Sequence, residues 1–346
     1  MKRIIRISFI FVLTLTLCSC TKKEHEENVV MKEIVDNSLQ HSKDDVNDKE
    51  KDEKKRYDYS YNYSFGVNGY RDATGMNIPY DGEPIKMSYT IDNGDYEFVG
   101  AMLIFIGGEL QEYTIVETKE KGIKVPVDFS AHTETTVEFA FEPSYGNRGE
   151  VLPITFGFVL ESECRPDCEY FDFGHAYGMS PFANGFGNLH MNCNSKENKT
   201  ICKVDTFKTV MPQEDIDRYV FTSSNGEVIN RLKNNRIELL VNGEKYNETI
   251  HMGDGRVTFG VRAFGGETTE YAVTMLLNGV PLLTDAIHIT ADGRNYDTAH
   301  VDIDFNKLDK DKYSIEEYNT LYVVACPVTY GKYEMPSKVI VANVSK

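Results

Sequence analysis

The stretch that decides the fold is residues 101–108, which read AMLIFIGG. A short apolar run bounded by glycines is typical of a β-strand. Two adjacent glycines suit the two-residue turn of a β-hairpin, because both central residues of that turn need positive φ. The stretch therefore predicts a strand that ends in a hairpin.

Turns of this kind recur along the chain, and strand-like runs surround them. Residues 125–129 (VPVDF) and 136–141 (TVEFAF) alternate apolar with polar side chains, as strands with one buried face do. No helical period of comparable length competes with them, so the sequence predicts an all-β fold. The other hairpin signals are Asn93–Gly94, Asn242–Gly243 and Asn278–Gly279.

The second half of the chain repeats the order of these elements. A turn at 275–279 (MLLNG), a strand at 301–305 (VDIDF) and a final apolar strand at 321–325 (LYVVA) correspond to 105–108, 125–129 and 137–141. This order predicts two tandem immunoglobulin-like β-sandwiches, in residues 57–163 and 213–346.

The first sandwich begins at a row of alternating aromatic residues, in 57–65 (YDYSYNYSF). A period of two places all of them on one face of a strand. That face is either part of the core, which we prefer, or an exposed ladder that binds a glycan or peptide, since buried tyrosines need hydrogen-bond partners. The row comprises Tyr57, Tyr59, Tyr61, Tyr63 and Phe65.

Residues 164–212 form a connector of different character, with four cysteines. In an exported chain these predict two disulfides, either Cys193–Cys202 with Cys164–Cys168 or a nested pairing of 164 with 202 and 168 with 193. A zinc site that uses some of these thiolates with His175 or His190 is the alternative, but the spacings do not match common zinc modules. Cys326 lies in an apolar strand and is expected to be a buried free thiol.

The same connector is rich in glycine and aromatic residues. It contains no P-loop lysine, so a phosphate-binding loop is a poor match. We expect this segment to be either a linker without a binding role or a ligand surface. The ligand surface would comprise Phe173, Tyr177 and Phe186 together with the tyrosines at 57–63.

The charge of the chain limits its partners. The formal net charge is −17, and loss of Lys2, Arg3 and Arg6 with a signal peptide would make it −20. Such a surface repels phosphate backbones and anionic headgroups, so nucleic acid is not expected as a partner. Membrane contact should depend on a lipid rather than on a basic face.

Residues 20–56 contain no aromatic residue and many lysine, glutamate and aspartate residues. Such a segment buries too little apolar surface to offset its chain entropy, so it should be a disordered tether. As a coil it would span roughly 30–36 Å. A helical stalk is the alternative, because lysine and glutamate favour helix.

The N-terminus has a basic head, an apolar run at 7–13 and the ending Leu17-Cys18-Ser19-Cys20. The apolar stretch is short for a transmembrane helix and suits a signal peptide of residues 1–19. Its ending resembles the lipobox of bacterial lipoproteins, which implies cleavage before Cys20 and lipid attachment to that residue. An ordinary secretory peptide is the alternative.

Motifs of common enzymes are missing from the sequence. It has no G-x-S-x-G elbow and no H-E-x-x-H pair. The acidic series Asp302, Asp304, Asn306 resembles the start of a calcium loop, but Lys307 and Tyr313 stand where that loop needs Gly and Glu.

Together these features predict a lipoprotein on the extracytoplasmic face of a bacterial membrane. We expect no cofactor and no catalytic residue, and a non-catalytic role in binding, adhesion or assembly with a protein or glycan partner. The alternatives are a cell-wall or carbohydrate hydrolase that carries β-sandwich domains, and a structural spacer.

Overall fold

The protein consists mainly of antiparallel β-strands. The computed structural model describes residues 63–72, 75–94, 97–160, 182–197, 204–246, 250–253, 255–329 and 338–345. All of them belong to one compact unit, Tyr59–Lys346. The predicted signal peptide, Cys20 and the predicted tether lie outside the described residues.

The strands divide between an earlier and a later group. The earlier strands are β1 Tyr63–Asn68, β2 Arg71–Asp72, β3 Gly75–Tyr80, β4 Ile85–Asn93, β5 Phe98–Ile106, β6 Glu109–Gln111, β7 Tyr113–Ile115, β8 Lys121–Gly122, β9 Pro126–Phe129, β10 Glu134–Phe141, β11 Val151–Leu160 and β12 Phe182–Met191. The later ones are β13 Thr206–Val210, β14 Val220–Thr222, β15 Val228–Asn230, β16 Arg236–Val241, β17 Glu244–Lys245, β18 Ile250–His251, β19 Arg256–Leu277, β20 Val280–Pro281, β21 Ile287–Asp304, β22 Tyr318–Pro327 and β23 Lys338–Ser345.

The earlier strands form a sandwich of two sheets. One has the order β1-β4-β10-β7-β8, and the other β2-β3-β12-β11-β5-β6 with β9 also paired to β5. Alternate side chains of both sheets meet in one apolar core. Phe158 lies at its centre, with its ring centroid 5.5 Å from that of Phe65 and 5.7 Å from that of Phe129.

Most of the later strands form a second sandwich from one long sheet with the order β13-β21-β19-β22-β23-β18, which also includes β16, β17 and β20. Strands β14 and β15 form a separate two-stranded sheet. Strand β19 is 22 residues long, and its pairing with β21 shifts register between Ala263 and Thr269. Such bulges bend strands. Val257 to Ala263 and Tyr271 to Leu277 therefore contribute to a single core from opposite ends of the same strand.

These observations confirm the predicted all-β fold with two tandem sandwiches. Strand β12 comes from the sequence that we predicted to be a connector, and it pairs with β11 and β3 in the first sandwich. Its backbone completes a sheet, which the aromatic and glycine content of that segment did not indicate.

Three of the four predicted hairpin turns are present. Gly107–Gly108, Asn242–Gly243 and Asn278–Gly279 all have positive φ at both residues. The expectation for Asn93–Gly94 was wrong, because β4 and β5 belong to different sheets. The Asn93 side chain is buried and donates from Nδ2 to the carbonyl oxygen of Ser130 at 2.9 Å.

The helices among the described residues are short. They are α1 Gln213–Tyr219 and α2 Lys310–Tyr313, with 3-10 turns at Arg231–Lys233 and Phe305–Lys307. Within the described ranges, no helix has the length and apolar character needed to cross a membrane.

Candidate functional site

A dry apolar interface joins the two sandwiches. The outward faces of β5 and β11 pack against β19 and β22, and the eight side chains involved are almost completely inaccessible to solvent. Their burial fixes the position of one sandwich on the other. They are Ala101, Leu103, Phe105 and Val159 from the first sandwich and Leu276, Tyr322, Val324 and Cys326 from the second.

Two of the hairpin turns lie at this interface, one from each sandwich. A Cβ added to Gly108 would lie 2.2 Å from Cβ of Ala272, so the first turn touches β19 directly. The second turn meets Lys124, whose Nζ donates to the carbonyl oxygen of Asn278 at 3.3 Å. Each turn therefore packs against the other sandwich, and the strands that follow the turns border a common space.

That space is a cleft of about 1050 Å³ between the sandwiches. One wall comes from β6, β7, β8 and the end of β10, and the other from β20, the loop to β21 and the end of α2. Residues of the apolar floor include Leu110, Ile123, Phe141, Val280, Leu282 and Leu283. The volume suits a short segment of polymer rather than an ion.

Charged pairs line the wall from the first sandwich. Lys121 Nζ lies 2.8 Å from Glu112 Oε2, and Lys196 Nζ lies 2.8 Å from Glu142 Oε1. The hydrogen bonds to Glu112 and Glu142 raise the pKa of Lys121 and Lys196 respectively. Both lysines are more than half exposed, so their pairs can exchange partners at little cost.

The aromatic residues around the cleft are buried. Tyr113 donates from its hydroxyl to the Met102 carbonyl oxygen at 2.8 Å, and Tyr313 donates to that of Pro281 at 3.0 Å. Phe141 belongs to the first core. Their hydroxyls and ring faces therefore serve the fold and are not presented to a ligand.

An ionisable group bridges the sandwiches beside the cleft. His288 of β21 lies between Glu270 of β19 and Glu109 of β6, at 2.9 Å from Nδ1 to Glu270 Oε1 and 3.4 Å from Nε2 to Glu109 Oε1. The hydrogen bond with Glu109, joined by that with Glu270, outweighs burial and raises the pKa of His288.

The structure separates the site residues predicted from sequence. Phe65, the last of the aromatic row, packs against the first core, while Tyr63 pairs with Asn93 through the backbone of β1. Phe186 is half-buried in β12, opposite Thr155 of β11. Phe186 does not line the cleft. Tyr57, Tyr59, Tyr61, Phe173 and Tyr177 lie outside the described residues.

Two cysteines can be placed. Sγ of Cys193 lies 3.7 Å from the carbonyl oxygen of Tyr80. Its candidate partners Cys164, Cys168 and Cys202 lie outside the described residues, so both disulfide pairings stay predictions. Cys326 is buried, as its apolar strand predicted.

The acidic series near residue 304 has local roles. Asp304 Oδ1 accepts from Asn306 N at 3.2 Å, and Asp309 Oδ1 accepts from Asp311 N at 3.1 Å, so both cap short helical turns. In the part of the chain that the structure describes, no cluster of three His, Cys, Asp or Glu side chains is arranged to hold a metal ion.

Sequence reasoning did not identify the cleft. Its charged residues lie in short, exposed strands and loops that carry no motif. The signal that was available is positional: the strands after Gly107–Gly108 and Asn278–Gly279 both border the cleft. That each turn would pack against the other sandwich could not be seen without the fold.

No protein-family model and no curated protein matches the chain. Solved structures match over 82% of it with TM-scores near 0.2. One is a protein of unknown function from Porphyromonas gingivalis, 9% identical, 99% covered, with a TM-score of 0.23. Another is the Salmonella enterica SafA pilin in complex with the SafB chaperone, 10% identical, 96% covered, with a TM-score of 0.22. Scores this low assign neither a fold family nor a function.

Proposed function

We propose that the protein is a lipid-anchored lipoprotein of the extracytoplasmic face of a bacterial membrane, with a non-catalytic role in binding or assembly. Its binding site is the cleft between the two sandwiches, which receives an extended segment of a protein partner. The ending Leu17-Cys18-Ser19-Cys20 supports the anchor, and the geometry of the cleft supports the binding role.

Edge strands at the cleft favour an extended ligand. Strands β6 and β8 each stand last in the order of their sheets, and β20 pairs with β19 alone among the described strands. All three contribute residues to the cleft. A terminal strand offers one side to a further strand, and peptides bind in this way by adding to a sheet. The presence of these three edge strands at one cleft is the observation that carries the proposal.

The side chains of the cleft favour a peptide over a glycan. Lys121 and Lys196 alternate with Glu112 and Glu142 on one wall above an apolar floor, which matches a segment that carries charges of both signs and apolar residues. The rings of Tyr113, Phe141 and Tyr313 are buried and cannot stack on a sugar.

A peptide selection tests the proposal. The full-length protein in detergent micelles is immobilised and used to select from a phage-displayed library of short random peptides. We expect selected peptides to combine apolar residues with charges of both signs. We also expect the double substitution Lys121→Glu and Lys196→Glu to weaken their binding by about tenfold or more, because attraction becomes repulsion.

Lys307 supplies the matched control. It is 78% exposed and forms a similar ion pair with Asp304 at 3.2 Å, but does not line the cleft. Lys307→Glu should leave binding unchanged. Failure to enrich any peptide, or equal binding by the double variant, would exclude the cleft as a peptide site.

A further inference from the structure

The contact between Glu109 and His288 is a polar link beside the apolar interface between the sandwiches. Glu109 comes from the first sandwich, and its side chain is 2% exposed; that of His288, from the second, is 9% exposed. Glu270 on β19 completes the set and is partly open to solvent. The backbone nitrogen of Ala286, in the cleft wall, also lies 3.5 Å from Glu109 Oε2.

The two hydrogen bonds of His288 determine the protonation state of its ring. An ionised carboxylate only accepts, and a neutral imidazole has one N–H, so both contacts of His288 can be made at once only when the ring is protonated. Removal of the proton would take away the positive charge that His288 presents to the buried Glu109 carboxylate. Loss of a charged hydrogen-bond donor to a buried carboxylate is costly.

Tyr145 lies near Glu109 and also near Cys326, and Asp285 lies in the adjacent cleft wall. Burial, with a smaller contribution from Glu109, raises the pKa of Tyr145, so this residue stays neutral at physiological pH. The charges that face the ring are therefore those of Glu109 and Glu270. Because the two carboxylates contact opposite ring nitrogens, a single metal ion could not join all three side chains.

We propose that Glu109, His288 and Glu270 form a latch that closes on binding a proton and holds the two walls of the cleft together. Its biological meaning rests on the proposed function, since the latch would set how firmly the cleft retains a ligand. Glu109 lies at the start of β6 and Ala286 at the end of the opposite wall, so opening of the latch frees both walls at one end.

The direction of the pH effect follows from the raised pKa of His288. A group whose pKa is higher in the folded state contributes stability that is complete below its unfolded pKa of 6.5 and disappears as pH rises through the folded value. The interface should therefore loosen as pH rises above 6.5 and through the folded pKa of His288.

The test needs no ligand, so its outcome is independent of the peptide selection. Melting temperatures of the full-length protein are measured from pH 6 to pH 9, for the wild type, His288→Gln and the control His300→Gln. His300 is an exposed histidine of the same strand. We expect the wild type and His300→Gln to lose about 2–4 °C more than His288→Gln over this range.

Glu109→Gln gives a second variant in case His288→Gln fails to fold. It removes the largest cause of the raised pKa of His288, so the loss of stability should move to lower pH. In the wild type, the amide hydrogen-exchange rates of β6, corrected for their intrinsic pH dependence, should increase relative to those of β16 as the pH rises from 6 to 9. Equal pH profiles for wild type and His288→Gln, or a constant ratio of exchange between β6 and β16, would overturn the latch.

Discussion

Gly108 and Ala272 come from different sandwiches and lie so close that a Cβ on Gly108 would stand 2.2 Å from that of Ala272. Gly108→Ala should therefore force the sandwiches apart. Gly108 also has a φ of +88°, which an alanine adopts at a cost of about 1–2 kcal/mol. We expect a further loss of about 1–3 kcal/mol from overpacking, measured by denaturant unfolding.

Gly243 separates these two effects. It occupies the same position of an equivalent turn with a φ of +89°, and an added Cβ would meet nothing within 4 Å. Gly243→Ala should thus show the backbone cost alone. Equal losses for the two variants would mean that the interface adapts to the extra methyl group.

Phe158 should be among the most sensitive positions of the first core. Its ring contacts Phe65, Tyr89, Phe98 and Phe129, with centroids 5.5 to 6.2 Å away. Phe158→Ala should lower the free energy of unfolding by about 3–5 kcal/mol. Phe207, which is 60% exposed, is the control, and Phe207→Ala should cost about 0.5 kcal/mol or less. Similar results for both variants would contradict the packing described for Phe158.

Glu238 should make the second sandwich sensitive to acid. Burial alone would raise its pKa, but hydrogen bonds from Lys245, Tyr219 and Arg262 outweigh burial and lower it. The stability from this group is present above the unfolded pKa and is lost as pH falls through the lower folded value. Glu238→Gln should cost about 1–3 kcal/mol at pH 7, because Arg262 loses its charged partner at 2.6 Å.

The cost of Glu238→Gln should shrink as the pH of denaturant unfolding is lowered below the normal range of glutamate. The neighbouring exposed Glu244 provides the control, and Glu244→Gln should leave stability almost unchanged at any pH. A cost that stays constant down to the lowest pH would show that the charge of Glu238 is not the source of the stability.

Cys20 should carry the lipid. Because acylation needs the thiol, Cys20→Ser should yield a protein without lipid and with its signal peptide uncleaved, as measured by intact mass after expression in a bacterium. Cys18→Ser changes the same element two positions earlier and should be processed normally. Lipid on the Cys20→Ser protein would refute the assignment.

The proposed extracytoplasmic location, which is oxidising, predicts two disulfides among Cys164, Cys168, Cys193 and Cys202, with Cys326 reduced. Peptide mapping of the unreduced protein by mass spectrometry decides this. Burial of Cys326 should make its thiol react with an alkylating reagent only after unfolding. Four free thiols together with stoichiometric zinc would replace the disulfides with a metal site.

The sequence predicted features that depend on a few neighbouring residues. Gly107–Gly108 and Asn278–Gly279 form hairpins because the turn itself demands positive φ. At Asn93–Gly94 the same local signal failed, because the chain leaves β4 for a strand in another sheet and the Asn93 side chain instead bonds to the loop at Ser130.

The cleft and the latch could not be predicted in this way. Glu109 and His288 are 179 positions apart, and neither lies in a recognisable motif. Lys121 and Lys196 look like ordinary surface lysines in sequence, and share a wall only because β8 and the segment after β12 meet in the fold. Such contacts depend on how sheets stack, which periodicity does not specify.

The apolar interface has a consequence for the evolution of this chain. Phe105 and Leu276 are buried only because the other sandwich covers them. Either sandwich produced alone would therefore expose an apolar patch of aliphatic and aromatic side chains. The two sandwiches are therefore unlike the modules of many repeat proteins, which can be exchanged. A gene fusion or deletion that separates them should give insoluble products, and the pair should be inherited as one unit.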